Sequence, residues 1–222
     1  MIRKMSEKLP ELEYFIKGTN PKLLIHSGTH GDEFEVVDFV RKAVEKYENI
    51  LPDFIFVPIV SPSAIKNKTR LNKNGHDLNR IFFSDSTEIE VTENIKILDG
   101  FDFDLVVSFH EDPEFDEYYI YDEGQSDLIS SKVLKHIEKL NSLNVKLLNG
   151  VDDPSDPHLG HEFKNGYAKF DHPEGREADG TATLWIYSEK RAKGILVPEI
   201  PGRVSLQKKE LIVDTFFVDV LC

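Results

Sequence analysis

The sequence predicts an α/β fold: a single domain built on a mixed, mostly parallel sheet with helices on both faces. Three observations predict it. Short, continuous apolar runs recur along the chain, as in strands buried on both faces. Segments with helical periodicity separate them. Gly, Ser and Pro punctuate the ends of the runs, and no internal repeat, low-complexity tract or linker divides the 222 residues.

Taken in order, Lys22-Leu23-Leu24-Ile25-His26 is an apolar run that stops at Ser27-Gly28-Thr29-His30-Gly31, a strand entering a turn. Residues 33–47 follow with Phe34, Val37, Val40 and Val44 at helical spacing and acids in the first turn. Residues 54–60 predict a second buried strand stopped by Ser61-Pro62, and residues 104–109 a third that runs into His110. Residues 118–121 (Tyr-Tyr-Ile-Tyr) predict a strand with half-packed tyrosines, one of them a candidate for lining a pocket. Residues 126–140 and 181–191 read as amphipathic helices, and Gly194 to Pro198 as a strand reaching Glu199. Residues 206–220 read as a closing helix, although Phe216-Phe217-Val218 also suits a strand.

Composition bounds the function. With 40% hydrophobic and 10% aromatic residues the chain can close one sizeable core. Its 27 basic and 40 acidic residues give a net charge of -13 and no long basic run, which argues against nucleic acid and anionic membranes as partners. The acidity reads as a solvated surface. One cysteine, Cys222, excludes an intrachain disulfide and a cysteine-based zinc site. The first residues lack the apolar stretch of a secretory signal, and no segment approaches the ~20 apolar residues of a membrane span. The expected setting is cytoplasmic.

In open, mostly parallel sheets ligand sites gather at the carboxyl ends of strands. His30, His110 and Glu199 each follow an apolar strand-like run, so the fold can bring them to one crevice. His30 and Glu33 are three residues apart, which puts them on one face if a helix starts there. By itself that spacing is a common accident. With His110 it makes two imidazoles and a carboxylate, a known catalytic zinc set that leaves one position open. Imidazole and carboxylate accept several other divalent metals as well. Arg70, Asn79 and Arg80 lie in a Gly-containing loop, and the arginine fork suits carboxylates. Lys66, Lys68 and Lys73 in the same stretch read as solvated.

Together these segments resemble the zinc carboxypeptidase superfamily, including its succinylglutamate desuccinylase and aspartoacylase branch. The resemblance is an ordered set: Gly28-Thr29-His30-Gly31-Asp32-Glu33, Thr69-Arg70, Asp77-Leu78-Asn79-Arg80-Ile81-Phe82, Ser108-Phe109-His110-Glu111 and Val197-Pro198-Glu199. It spans roughly residues 22–202. It implies one zinc ion per chain, held by His30, Glu33 and His110, and one catalytic domain over residues 1–222. It further implies Glu199 as general base toward the attacking water, Arg70 as stabiliser of the developing oxyanion, Asn79 and Arg80 as the grip on a substrate carboxylate, and Asp77 as the acid that orients His30.

Two features depart from the pattern. The carboxypeptidases carry a loop Tyr a little over twenty residues before the general base, where this chain has Arg176-Glu177-Ala178. The segment after Glu199 is too short for the β-rich domain of the aspartoacylase branch. Residues 150–180 are polar and rich in Pro, Gly, His and Asp, and are expected to form a loop over the site. His158 and His161 within it read as solvated histidines rather than a second metal site.

The implied reaction is hydrolysis of an amide bond near a substrate carboxylate. A carboxypeptidase or peptide amidase acting on a small peptide fits, and so does a deacylase of N-acyl amino acids. A catalytically silent binding module is a third reading, opposed by the presence of all three ligand types and Glu199.

Overall fold

The computed structural model describes residues 1–124, 127–155, 159–171 and 176–222. Strands β1 (Ile2–Met5) and β2 (Glu13–Lys17) form a hairpin, followed by β3 (Leu23–His26), α1 (Phe34–Tyr47), β4 (Phe54–Val57) and the short α2 (Pro62–Asn67). A 3-10 turn, Leu78–Arg80, leads to α3 (Ile89–Leu98), β5 (Leu105–Ser108), β6 (His110–Asp112) and β7 (Tyr119–Gly124). Helix α4 (Asp127–Ser142), β8 (Gly150–Val151), β9 (Glu162–Phe163) and β10 (Tyr167–Phe170) precede α5 (Ala182–Ser188), β11 (Gly194–Pro201) and α6 (Leu206–Phe216), which continues as a π-helical turn, Phe217–Leu221.

The main sheet has the order β1-β2-β4-β3-β5-β11-β7-β10, with β6 also paired to β11. Its centre is parallel (β4, β3, β5, β11), while β1, β2 and the β11–β7 pair are antiparallel. Every residue of β3, β4 and β5 is buried, as continuous apolar runs require when both faces are covered. One face, carrying Leu23, Ile25, Phe54, Phe56 and Val107, packs on residues of α1, α4 and α6. The other, carrying Leu24, Ile55, Val57, Val106 and Ile195, packs on α3, α5 and the 3-10 turn. Helices on both faces are therefore present, as expected.

Several boundaries differ from the sequence reading for local reasons. The strand at Phe54 stops at Val57 because Pro58 has no N–H, and its carbonyl instead accepts the Ser27 hydroxyl at 2.6 Å. Helix α5 ends at Ser188, just before Lys190 takes a left-handed backbone with φ 57°. The C-terminal segment is helical throughout rather than a strand. Ser126 and His158 lie outside the described residues. The tyrosines of residues 118–121 are more deeply packed than a half-buried strand implies, with Tyr118, Tyr119 and Tyr121 all buried. No helix among the described residues is long and apolar enough to cross a membrane.

Phe109 joins the sheet to the C-terminal helix. Its ring stacks on Phe217 with centroids 5.7 Å apart and meets Phe216 edge-on at 5.2 Å, while its N–H donates to the His26 carbonyl at 2.9 Å. Phe109→Ala is expected to lower the unfolding free energy by about 3–5 kcal/mol, because a fully buried ring leaves a cavity that the surrounding sheet does not fill. Urea denaturation of the two proteins measures this.

Candidate metal centre

The turn after β3 is shaped by two glycines. Gly28 has φ +63°, which only a residue without a Cβ adopts at little cost. At Gly31 a Cβ would stand 1.8 Å from the Ala64 carbonyl oxygen, so the chain beside His30 is pressed directly against α2. The Gly31 N–H donates to the Thr69 carbonyl at 3.0 Å, fastening this turn to the loop that carries Arg70. Glu33 occupies the cap position before α1 but makes no capping bond, and its carboxylate points elsewhere.

It points between the two histidines. Glu33 Oε1 pairs with His30 Nδ1, and Oε2 accepts from His110 Nδ1 at 2.9 Å and from the Glu111 N–H at 3.2 Å. The outer ring nitrogens are held from behind: His30 Nε2 donates to Asp77 Oδ1 at 3.1 Å, and His110 Nε2 lies 3.2 Å from Ser108 Oγ. One ligand atom from each of His30, Glu33 and His110 lies within 4.8 Å of the others, and all three residues are buried. Two imidazoles and a carboxylate that turn their donor atoms toward one point fit a divalent cation. Without a cation, a proton must fill its role. Burial disfavours charge on His30, but Glu33 and Asp77 outweigh it and push the imidazole up to about 9. Burial pushes the Glu33 carboxyl up, but the His30 and His110 rings beside it outweigh burial and hold it well below the usual carboxylate range.

Asp77 connects this centre to the loop after α2. It accepts from His30, from Arg70 Nε at 2.9 Å and from the Asn79 N–H at 2.8 Å, and its pKa is depressed by His30 and Arg70 despite partial burial. On the other side, β11 brings Glu199 into register with His110 of β6 and Tyr119 of β7. Glu199 is partly buried, and burial together with Glu33 and Asp112 raises its pKa well above the ordinary range, against the pull of His30 and Arg70. Asp112 in turn accepts the Tyr119 hydroxyl at 2.5 Å.

A cleft of about 580 Å³ opens beside Arg70 and is lined by Asn79, Arg80, Tyr121 and Val197, among others. The three candidate ligands are not part of its lining, and Arg70, bonded to Asp77, connects the two regions. Asn79 Oδ1 accepts from Ala182 N–H at 3.2 Å, which ties the loop to the start of α5. The Arg80 backbone is packed against Gly180, where a Cβ would come within 2.4 Å of its carbonyl oxygen. Thus His30, Glu33, His110, Asp77, Arg70 and Glu199 are brought together, and Asn79 and Arg80 stand in the adjoining cleft.

The described parts of residues 150–180 wall this cleft through Leu159, His161, Lys169 and Phe170. Asp152 anchors them, accepting Tyr121 OH at 2.6 Å and the N–H groups of Gly160 and His161 at 2.6 and 2.7 Å. His161 is therefore not a solvated loop histidine: its ring packs against Phe170 with centroids 4.7 Å apart. Asp152, Glu111 and Ser108 are neighbours of the site that the sequence reading did not single out. Ser108 and Glu111 belong to the Ser108-Phe109-His110-Glu111 motif, whereas nothing in the local sequence sets Asp152 apart from the other acids around it.

These features define an α/β fold of the metallocarboxypeptidase type, with a His-Glu-His cluster able to hold a metal. The model of the succinylglutamate desuccinylase/aspartoacylase catalytic domain matches residues 19–147, more than half of the chain, and the chain belongs to that family of hydrolases. Solved structures are similar in fold. A protein assigned as a metallopeptidase from Shewanella baltica OS155 aligns with a TM-score of 0.73 at 20% identity, covering 100% of this chain and 85% of that one. A metallo-carboxypeptidase from Burkholderia cenocepacia gives 0.64 at 15% identity, covering 95% and 60%. A succinylglutamate desuccinylase/aspartoacylase from Rhodobacter sphaeroides gives 0.57 at 19% identity, covering 95% and 57%. This chain thus spans about three fifths of the last two proteins. At these identities the likeness shows the fold alone. No curated protein matches by sequence.

The proton-filled centre predicts a pH dependence. A raised histidine contributes stability that is complete below its ordinary value of 6.5 and is lost as pH climbs through about 9. Glu33, whose pKa is lowered, contributes above its ordinary 4.5 and loses that contribution as pH falls. Glu199, raised, begins to lose its contribution as pH rises above its ordinary 4.5, which tilts the optimum toward the acid end of the window. Metal-free protein is expected to be most stable between about pH 4.5 and 6.5 and to weaken steadily toward pH 9, as read from urea midpoints across that range.

Proposed function

We propose that the chain is a zinc-dependent hydrolase that cleaves an amide bond near a substrate carboxylate, working as one catalytic domain. The observation that carries this reading is the buried His30–Glu33–His110 set with Glu199 in register beside it. One zinc ion held by those three residues supplies the Lewis acidity that lets water act as a nucleophile near neutral pH.

The remaining work falls to the chain. Asp77 accepts a hydrogen bond from His30 Nε2–H and so fixes the orientation of the ring, leaving Nδ1 as the nitrogen that would hold the ion. Glu199 takes a proton from the attacking water and returns it to the leaving nitrogen as the carbon–nitrogen bond breaks. Its raised proton affinity suits a group that must both accept and release a proton. Arg70, held by Asp77, stabilises the negative charge that develops on the carbonyl oxygen. Asn79 and Arg80 grip the substrate carboxylate from the cleft.

A carboxypeptidase or peptide amidase acting on a small peptide is the first reading of the substrate. It draws on the open cleft beside Arg70 and on the fold shared with the Burkholderia metallo-carboxypeptidase. Deacylation of an N-acyl amino acid is the second, favoured by the family model that matches. The single cysteine, Cys222, supports a cytoplasmic place of action.

The first test is metal content of purified wild type and His110→Ala. One zinc per chain in wild type and a large loss in the variant are expected. Panels of peptides with a free carboxyl end and of N-acyl amino acids then separate the two substrate readings. Binding of a ligand without turnover of either panel by zinc-loaded protein would leave a silent binding module. Glu199→Gln is expected to keep zinc and lose activity by a factor of about 10²–10⁴; unchanged turnover would rule out the base role. Arg80→Ala is expected to raise KM more than it lowers kcat, because a carboxylate grip acts alike in ground and transition states.

A further inference from the structure

Lys209 is the one buried lysine among the described residues, 1% exposed. From α6 its Nζ donates to Glu111 Oε1 at 2.7 Å and to Glu35 Oε2 at 2.5 Å. Both partners adjoin candidate ligands. Glu111 follows His110 in β6, and its N–H holds Glu33 Oε2. Glu35 lies in the first turn of α1, two residues after Glu33. One ammonium thus joins the chain segment that carries His110 to the segment that carries Glu33.

A structural role alone accounts poorly for this choice of residues. Taking a lysine and a glutamate out of water is costly, and well-packed apolar side chains of similar volume commonly replace such a pair with no loss of stability. The second oxygen of Glu111 is buried without a partner among the described residues, so the carboxylate depends on Lys209. What the ion pairs supply and apolar contacts lack is direction. They fix where Glu111, and with it the backbone on either side of His110, stands relative to α1.

We propose that Lys209 is a positioning residue of the metal centre: by bridging Glu111 and Glu35 it holds the His110 and Glu33 segments in mutual register before a cation arrives. This rests on His30, Glu33 and His110 being the metal ligands. It concerns the apoprotein's readiness to bind, and it does not require Lys209 to touch substrate.

The experiment measures zinc affinity by chelator competition on the full chain, alongside urea unfolding of the metal-free forms. Wild type is compared with Lys209→Met, Lys209→Arg, Glu111→Gln and the double variant Lys209→Met with Glu111→Leu. Wild type is expected to bind one zinc. The double variant is expected to unfold near the wild-type midpoint yet to bind zinc about 10–100-fold more weakly, the usual cost of losing support behind a ligand. Lys209→Arg, which restores the cation, is expected to recover most of the affinity. Glu111→Gln keeps the volume and folds without a buried uncompensated charge, and it too is expected to bind zinc more weakly. A folded double variant, or Glu111→Gln, with wild-type zinc affinity overturns the proposal while leaving the ligand assignment intact. A wild type that takes up no zinc overturns the ligand assignment and the proposal with it.

Discussion

The carboxylate of Glu33 is shared by two imidazoles, and the arrangement of the surrounding chain follows from that sharing. His30 comes from the end of β3, His110 from the extension of β5, and Glu33 from the start of α1. For one carboxylate to reach both rings, the two central strands must end at the same level and the helix must begin directly above them. The parallel β3–β5 register, His26 opposite Ser108, meets the first requirement. The tight passage of Gly31 against α2 meets the second. A buried anion between two bases is tolerable only when a proton or a metal ion supplies positive charge. The site is therefore electrostatically incomplete as a bare set of side chains, and that incompleteness is what gives it affinity for a cation.

Around this pair the polar groups form successive layers, each holding the one inside it. Asp77 orients His30 and is itself held by Arg70 and the Asn79 backbone. Ser108 stands behind His110. On the cleft side, Asp152 holds Tyr121 and two backbone N–H groups, so that the described part of this segment presents a defined wall. The family's loop tyrosine has no counterpart at the expected spacing. Tyr121 lines the cleft, but its hydroxyl is engaged with Asp152 inside the wall.

How much of this was legible depended on whether burial left a pattern. β3, β4, β5 and β11 are covered on both faces, so each reads as an apolar run, and His30, His110 and Glu199 could be found at or near their ends. The N-terminal hairpin was missed because every residue of β1 is exposed and Arg3 and Lys4 interrupt any apolar signal. Helix α3 was missed because Glu90, Glu93 and Asn94 are buried beside Val91, Ile97 and Leu98, so its inward face mixes polar with apolar residues. The Glu90 carboxylate accepts from Ser61 and Ser63 at the start of α2, a tertiary arrangement that local periodicity does not encode. The cleft wall was read only as a polar loop, since contacts such as His161 on Phe170 follow no fixed spacing.

The sheet order also has a consequence for how the molecule comes into being. β11 lies between β5 and β7, although 85 residues of chain separate it from β5 and 69 from β7. Until it inserts, β5 and β7 are open edges, and β10 is joined only to β7. Before β11 is made the nascent chain therefore holds two incomplete half-sheets, and the strand that unites them follows β1–β10 in the chain. Such long-range pairing makes assembly slow and leaves sticky edges waiting. Glu199 travels on that last strand, so the nascent chain can gather its two histidines long before it possesses the acid that stands beside them.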